Sequence, residues 1–245
     1  MHRRNALLIQ IREKSDPSAA HEQQCLQRRL NDHPIDWVVR NALSETPAEE
    51  WLSGIDLVII GGSGYHSMVE HRHDPWVPPL RHLLDHILNR RLPGMGLCFG
   101  HQLVAHHLGA SVTDDPHCTE IGTVTLELTP AGNQDTLFKP LGASFRAQSG
   151  HSDHVVETPD GVDLLVENDL VRNQAFVIRG TRFYTTQFHP ELTGIEARQR
   201  YETVREGLAK TSDEALPEAA ALFKTDQDDT IGLMGEFVRL LATEE

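Results

Sequence analysis

The sequence is poor in several things that would each have named a class. It has three cysteines in 245 residues, Cys25, Cys98 and Cys118, odd in number and widely spaced. That excludes a disulfide framework and fits a reducing cytosol. It lacks any apolar run of membrane-spanning length. The basic start, Met1-His2-Arg3-Arg4, is followed by an apolar stretch too short for a signal-peptide core and soon broken by Arg12, Glu13 and Lys14. Positive charge is scarce: 22 Lys and Arg against 36 Asp and Glu leave a net charge of −14. A surface that acidic repels phosphate backbones and anionic lipid, so nucleic acid and membrane are poor partners. No Gly-Lys-Ser/Thr follows the glycines after Ile60, so a phosphate loop is unsupported. Fifteen histidines invite a metal, and His82 and His86 can share a helix face, but no cysteine or acidic ligand completes a metal spacing. Neither metal nor cofactor is expected.

What remains is a chain with 39% hydrophobic residues, enough for a sizeable core. Apolar strands at 6–9, 37–39, 56–60 and 95–97 alternate with helical patterns at about 18–31, 76–90 and 100–108. This alternation predicts an α/β fold with a mostly parallel sheet flanked by helices. The run Asp56-Leu57-Val58-Ile59-Ile60 suits a central strand covered on both faces. The second half is different. Strands at 124–128, 144–148, 164–166, 176–178 and 183–188 follow with few helices between them, and are expected as additional antiparallel strands that extend the same sheet. Residues 194–210 and 231–241 are helical by period. The expected organisation is one domain over 1–245, with 211–245 as a C-terminal helical extension.

Three stretches carry chemistry. In Gly96-Leu97-Cys98-Phe99-Gly100 a cysteine stands on a sharp strand-to-helix turn, flanked two residues either side by glycine. Such a turn exposes the sulfur and sets it at a helix N-terminus, which favours the thiolate. An isolated cysteine after an apolar run is more often a structural one; the flanking glycines and the immediate helical pattern favour a nucleophile. In Phe188-His189-Pro190-Glu191 a histidine ends an apolar strand, and Glu191 can orient its ring. Alone that tripeptide reads as a surface turn. Gly61-Gly62-Ser63-Gly64 follows a strand and can turn backbone N–H groups toward an anion.

In this order the three stretches resemble the class I, triad-type glutamine amidotransferases, from about Leu7 to Tyr201. Gly150-His151-Ser152-Asp153 is similar to a stretch in the amidotransferase part of GMP synthase. The resemblance implies a flavodoxin-like fold and cleavage of the side-chain amide of glutamine, or of a related γ-glutamyl compound, through a thioester. It implies Cys98, His189 and Glu191 as catalytic residues and the N–H groups of Gly62 and Phe99 as an oxyanion hole. It places Gln102, His151, Ser152 and Asp153 at the substrate. Where members of the family often have Gly-Gly-Pro, this chain has Gly-Gly-Ser63-Gly64, followed by Tyr65, His66 and Met68, bulky enough to meet a leaving group larger than ammonia. No ATP pyrophosphatase loop (Ser-Gly-Gly-x-Asp-Ser) occurs, and no synthetase domain fits after Tyr201. A free-standing hydrolase is therefore expected, with an ammonia-supplying or regulatory subunit of a separate synthase as the alternative. A further rival is the cysteine hydrolase branch that takes its histidine from beside the nucleophile, a part His101 would play.

Overall fold

A computed structural model describes residues 3–208 and 218–242, without the side chains of 205–208. The first half builds β1 (Arg4–Gln10), α1 (Ser18–Arg29), β2 (Ile35–Asn41), β3 (Leu57–Ile60), α2 (Met68–His71), α3 (Val77–Asn89), β4 (Gly94–Leu97) and α4 (Phe99–His107). The second adds β5 (Val112–Thr113), β6 (Glu120–Leu128), β7 (Ser144–His151), β8 (His154–Val155), β9 (Val162–Glu167), β10 (Ala175–Ile178), β11 (Phe183–Thr186), α5 (Gly194–Leu208), α6 (Ala219–Leu222) and α7 (Leu233–Ala242).

Nine strands form one sheet in the order β2-β1-β3-β4-β11-β10-β9-β6-β7. The pairs from β2 through β11 are parallel, and those from β11 to β7 are antiparallel. The α/β expectation and the extension of one sheet by later strands both hold. The strand β11 is the seam, parallel to β4 on one side and antiparallel to β10 on the other.

Alternation along the strands gives the sheet two covered faces. Ala6, Leu8, Leu57, Ile59, Met95 and Leu97 share one core with Leu26 and Leu30 at the end of α1 and with Met234, Phe237 and Leu241 of α7. Leu7, Ile9, Val58 and Ile60 point the other way, into a core with Leu80, Leu84 and Ile87 of α3 and Phe99, Leu103 and Val104 of α4. The C-terminal helix thus contributes to the first core; residues 211–217 and 243–245 of the expected extension lie outside the described residues, as do 209 and 210 of the expected helix 194–210. The one-turn helices α2 and α6 and the two-residue strands β5 and β8 were not legible by period, being too short to show one.

Candidate active site

Cys98 sits between β4 and α4 with φ +50° and ψ −99°, a strained conformation for a residue with a Cβ. Its N–H donates to the Thr186 carbonyl at 2.7 Å, which ties the turn to β11. The flanking Gly100 is required by close approach: a Cβ there would run into the Ile60 carbonyl. Phe99 N–H, first in the helix, has no carbonyl within α4 to receive it.

His189, just beyond β11, is buried and lines the same cleft as Cys98. Its Nδ1 lies 2.9 Å from Glu191 Oε1. The same carboxylate oxygen accepts from Arg200 Nη1 at 2.9 Å, an α5 residue that no motif singled out. Burial opposes a charged imidazole, but Glu191 and Cys98 outweigh it, and the His189 pKa is raised to about 9. Burial likewise opposes the Glu191 carboxylate, yet His189 and Arg200 hold its pKa at about 2. The two shifts describe one ion pair, imidazolium on carboxylate at neutral pH.

His101 does not compete for that role. It is fully buried, its Nδ1 is 2.8 Å from Thr185 Oγ1, and burial, helped by the charge of His151, pushes its pKa down to about 3. Cys25 is bonded within α1 and to its helix neighbours, and burial lifts its thiol to about 11.

The glycine loop differs from expectation. Its N–H does face an anion, but one inside the protein: Gly62 N donates to Glu22 Oε1 at 3.2 Å. Glu22 is fully buried, paired with Arg12 Nη2 at 3.0 Å and bonded by Gln10 Nε2 at 2.8 Å. Arg12 also reaches Asp16 at 3.3 Å. A Cβ on Gly61 would lie 2.6 Å from Glu22 Oε1, so this glycine makes room for the carboxylate. In this conformation the Gly62 N–H is not offered to a substrate oxygen. The cause is a charge cluster assembled from β1, the segment after it and α1. Its one trace in the sequence is two polar residues, Gln10 and Arg12, on either side of Ile11 at the C-terminal end of a parallel strand, where such sheets collect their sites, and it does not point to Glu22.

A cleft of about 300 Å³ opens over these groups, and Cys98, His189, Gly62, Phe99, Gln102 and residues 148–153 all border it. Tyr65 and His66 border it too, with His66 edge-on to Trp76. Met68 does not: it is buried in the core beneath α2, so it meets no leaving group. Gln102 is only partly available, since its Nε2 donates to the Asp153 carbonyl at 2.8 Å and to Gln187 Oε1 at 3.2 Å. The Asp153 carboxylate receives Ser67 Oγ at 2.6 Å. His151 is held by Glu120 at 3.0 Å, and Gln174 and Asn168 also donate to that carboxylate. Ser152 is exposed at the rim. The far wall of the cleft is apolar, from Ile121, Leu192, Tyr201, Val204 and Phe223. Among the described residues, no cluster of His, Cys, Asp and Glu could hold a metal ion, and no helix is long and apolar enough to cross a membrane.

The chain has relatives among known proteins. The model of the family described as glutamine amidotransferase class-I matches residues 23–205. The chain is 31% identical over 158 residues to a glutamine-hydrolyzing GMP synthase subunit of Sulfurisphaera tokodaii, covering 64% of this chain and 79% of that one. Its fold is similar to that of a glutamine amidotransferase from Thermotoga maritima, with TM-score 0.75, 22% identity and all of both chains covered. It is also similar to a glutamine amidotransferase from Methylobacillus flagellatus, with TM-score 0.68 and 20% identity over 99% and 94% of the chains.

Proposed function

The chain belongs to the class-I glutamine amidotransferase family, and from that premise we propose that it hydrolyses the side-chain amide of glutamine or of a related γ-glutamyl compound at Cys98. One observation supports this above all: a cysteine held at positive φ on a helix N-terminus, beside an imidazole that Glu191 keeps charged. In the proposed reaction the Cys98 thiolate attacks the γ-carbonyl carbon. The Phe99 N–H receives the developing oxyanion; Gly62 can join it only by leaving Glu22. His189 gives its proton to the amide nitrogen as the C–N bond breaks, and ammonia or an amine departs. The neutral imidazole then takes a proton from water, which attacks the thioester and releases glutamate and the Cys98 sulfur. His151, Ser152 and Asp153 line the side of the cleft that would take the amino-acid end of the substrate.

The similarity to a GMP synthase subunit favours a second reading, in which the chain supplies ammonia to a separate synthase. Tyr65 and His66 at the cleft favour a free-standing hydrolase with a larger leaving group. Glutamate release by the purified protein from glutamine, γ-glutamyl peptides and γ-glutamyl amines separates them. Activity that Cys98→Ala abolishes supports the hydrolase. Silence on every substrate, relieved by a co-purifying synthase, rejects the free-standing form and keeps Cys98.

A further inference from the structure

Cys98 and Gln187 are the first residues beyond two adjacent parallel strands. Leu97 of β4 is registered on Thr186 of β11, and the Cys98 N–H carries the ladder one step further. Gln187 therefore emerges beside the sulfur by strand register. On β11, Thr185 faces His101 of α4, and Gln187, two residues on, faces Gln102 of the same helix. Gln187 is fully buried, its N–H bonded to the Gln174 carbonyl at 2.7 Å. Its Nε2 stands 3.7 Å from Cys98 Sγ, within reach for an N–H···S bond.

A primary amide can sit either way round, so its neighbours must decide which end meets the sulfur. The decision starts at a main-chain carbonyl. Asp153 O can only accept, so Gln102 presents its NH2 there. The same nitrogen donates to Gln187 Oε1. The NH2 of Gln187 is then the end left for Cys98. Reversing Gln187 would set two NH2 groups face to face and an oxygen against the sulfur.

We propose that Gln187 is a catalytic residue that touches the reacting atom: a fixed amide donor that stabilises the Cys98 thiolate and aims it, with Gln102 a positioning residue acting through it. The proposal rests on the reading of Cys98 as nucleophile. A donor facing an anion favours the charged form, and more so away from bulk water. The other charged groups around the sulfur are His189, with Glu191 and Arg200 behind it, and Arg12 with Glu22 across Gly62. The N-terminus of α4 adds its dipole. None of these changes in a Gln187 variant.

The test is the pH profile of iodoacetamide alkylation at Cys98, read by mass spectrometry so that Cys25 and Cys118 do not contribute. It needs no substrate. Gln187→Met keeps length and burial but cannot donate. Its profile is expected to move about one unit to higher pH, which is about tenfold slower alkylation on the acid side with the plateau unchanged. Gln187→Leu, also neutral and unable to donate, is expected to give the same shift and decides the matter if Gln187→Met fails to fold. Gln102→Met lets the Gln187 amide turn and gives a smaller shift of the same sign. Profiles of both Gln187 variants superimposed on the wild type overturn the proposal, even in an active enzyme. Shifted profiles in a protein silent on every γ-glutamyl substrate, both alone and with a co-purifying synthase, would reject the proposed hydrolysis and leave the donor standing.

Discussion

Glu191 and Glu22 are both buried carboxylates, each bonded to an arginine that lines one cleft. They differ in their second partner. Glu191 holds an imidazole, which gains and loses a proton in the ordinary pH range. Glu22 holds a backbone N–H and shares with Asp16 a guanidinium that burial disfavours but the two carboxylates keep charged, its pKa raised above the ordinary value. A buried carboxylate against a titrating partner can drive a proton transfer. One against a partner that never titrates can only fix shape. Under the proposed reaction the first is chemistry at His189; the second is the course of the glycine loop.

Substitution at the two positions should separate these roles. Glu191→Gln removes the charge that keeps His189 protonated and oriented. Glutamate release is expected to fall on the order of 10³–10⁴-fold, measured as kcat at equal folded fraction. An equal fall in Glu22→Gln would break the comparison. Glu22→Ala strips a buried arginine of its closest partner and should cost about 3 kcal/mol in urea unfolding. If the cost is within a few tenths of a kcal/mol, Glu22 does not hold the loop.

The pair formed by His189 and Glu191 also makes stability depend on pH. His189 has a folded pKa raised above its ordinary 6.5, so the stability it contributes is complete below 6.5 and is lost as pH rises through about 9. Glu191, depressed from 4.5, contributes above its ordinary value and loses that as pH falls toward about 2. The denaturation midpoint should therefore decline between pH 6.5 and 9, and His189→Gln should flatten that limb while Glu22→Gln leaves it in place. The smallest effect concerns backbone strain. Cys98→Gly should be more stable than Cys98→Ala by about 1 kcal/mol, because only glycine tolerates φ +50° freely. Equal thermal midpoints would show that the turn carries no strain.

The elbow and the His189–Glu191 pair were legible because local rules write them: glycines two residues either side of a cysteine, and a histidine closing an apolar strand. The strands of the second half were legible as strands, and their membership of the main sheet followed from the scarcity of helices between them. The Arg12–Glu22 cluster was not legible. It joins a strand end to a helix ten residues on, and its target, Gly62, lies forty residues further. Glycines at 61, 62 and 64 read as a site for an external anion when the anion was a side chain. Arg200 was hidden for a similar reason, since one arginine on a polar helix looks like any solvated residue until the helix is docked. Met68 misled in the opposite way, because its size fitted a pocket wall but its side chain belongs to the core.

The seam at β11 has a consequence for how the chain acquires its structure. The strand β4 is made early, and until residues 183–186 insert beside it, it is an apolar edge with unpaired backbone groups. Closing that edge requires a contact of high sequence separation, which slows folding. During that interval Cys98 stands without His189, so under the proposed reaction the nascent chain is inert. It also exposes a sticky margin. Substitutions that delay β11 should therefore reduce soluble yield before they reduce the stability of the finished protein.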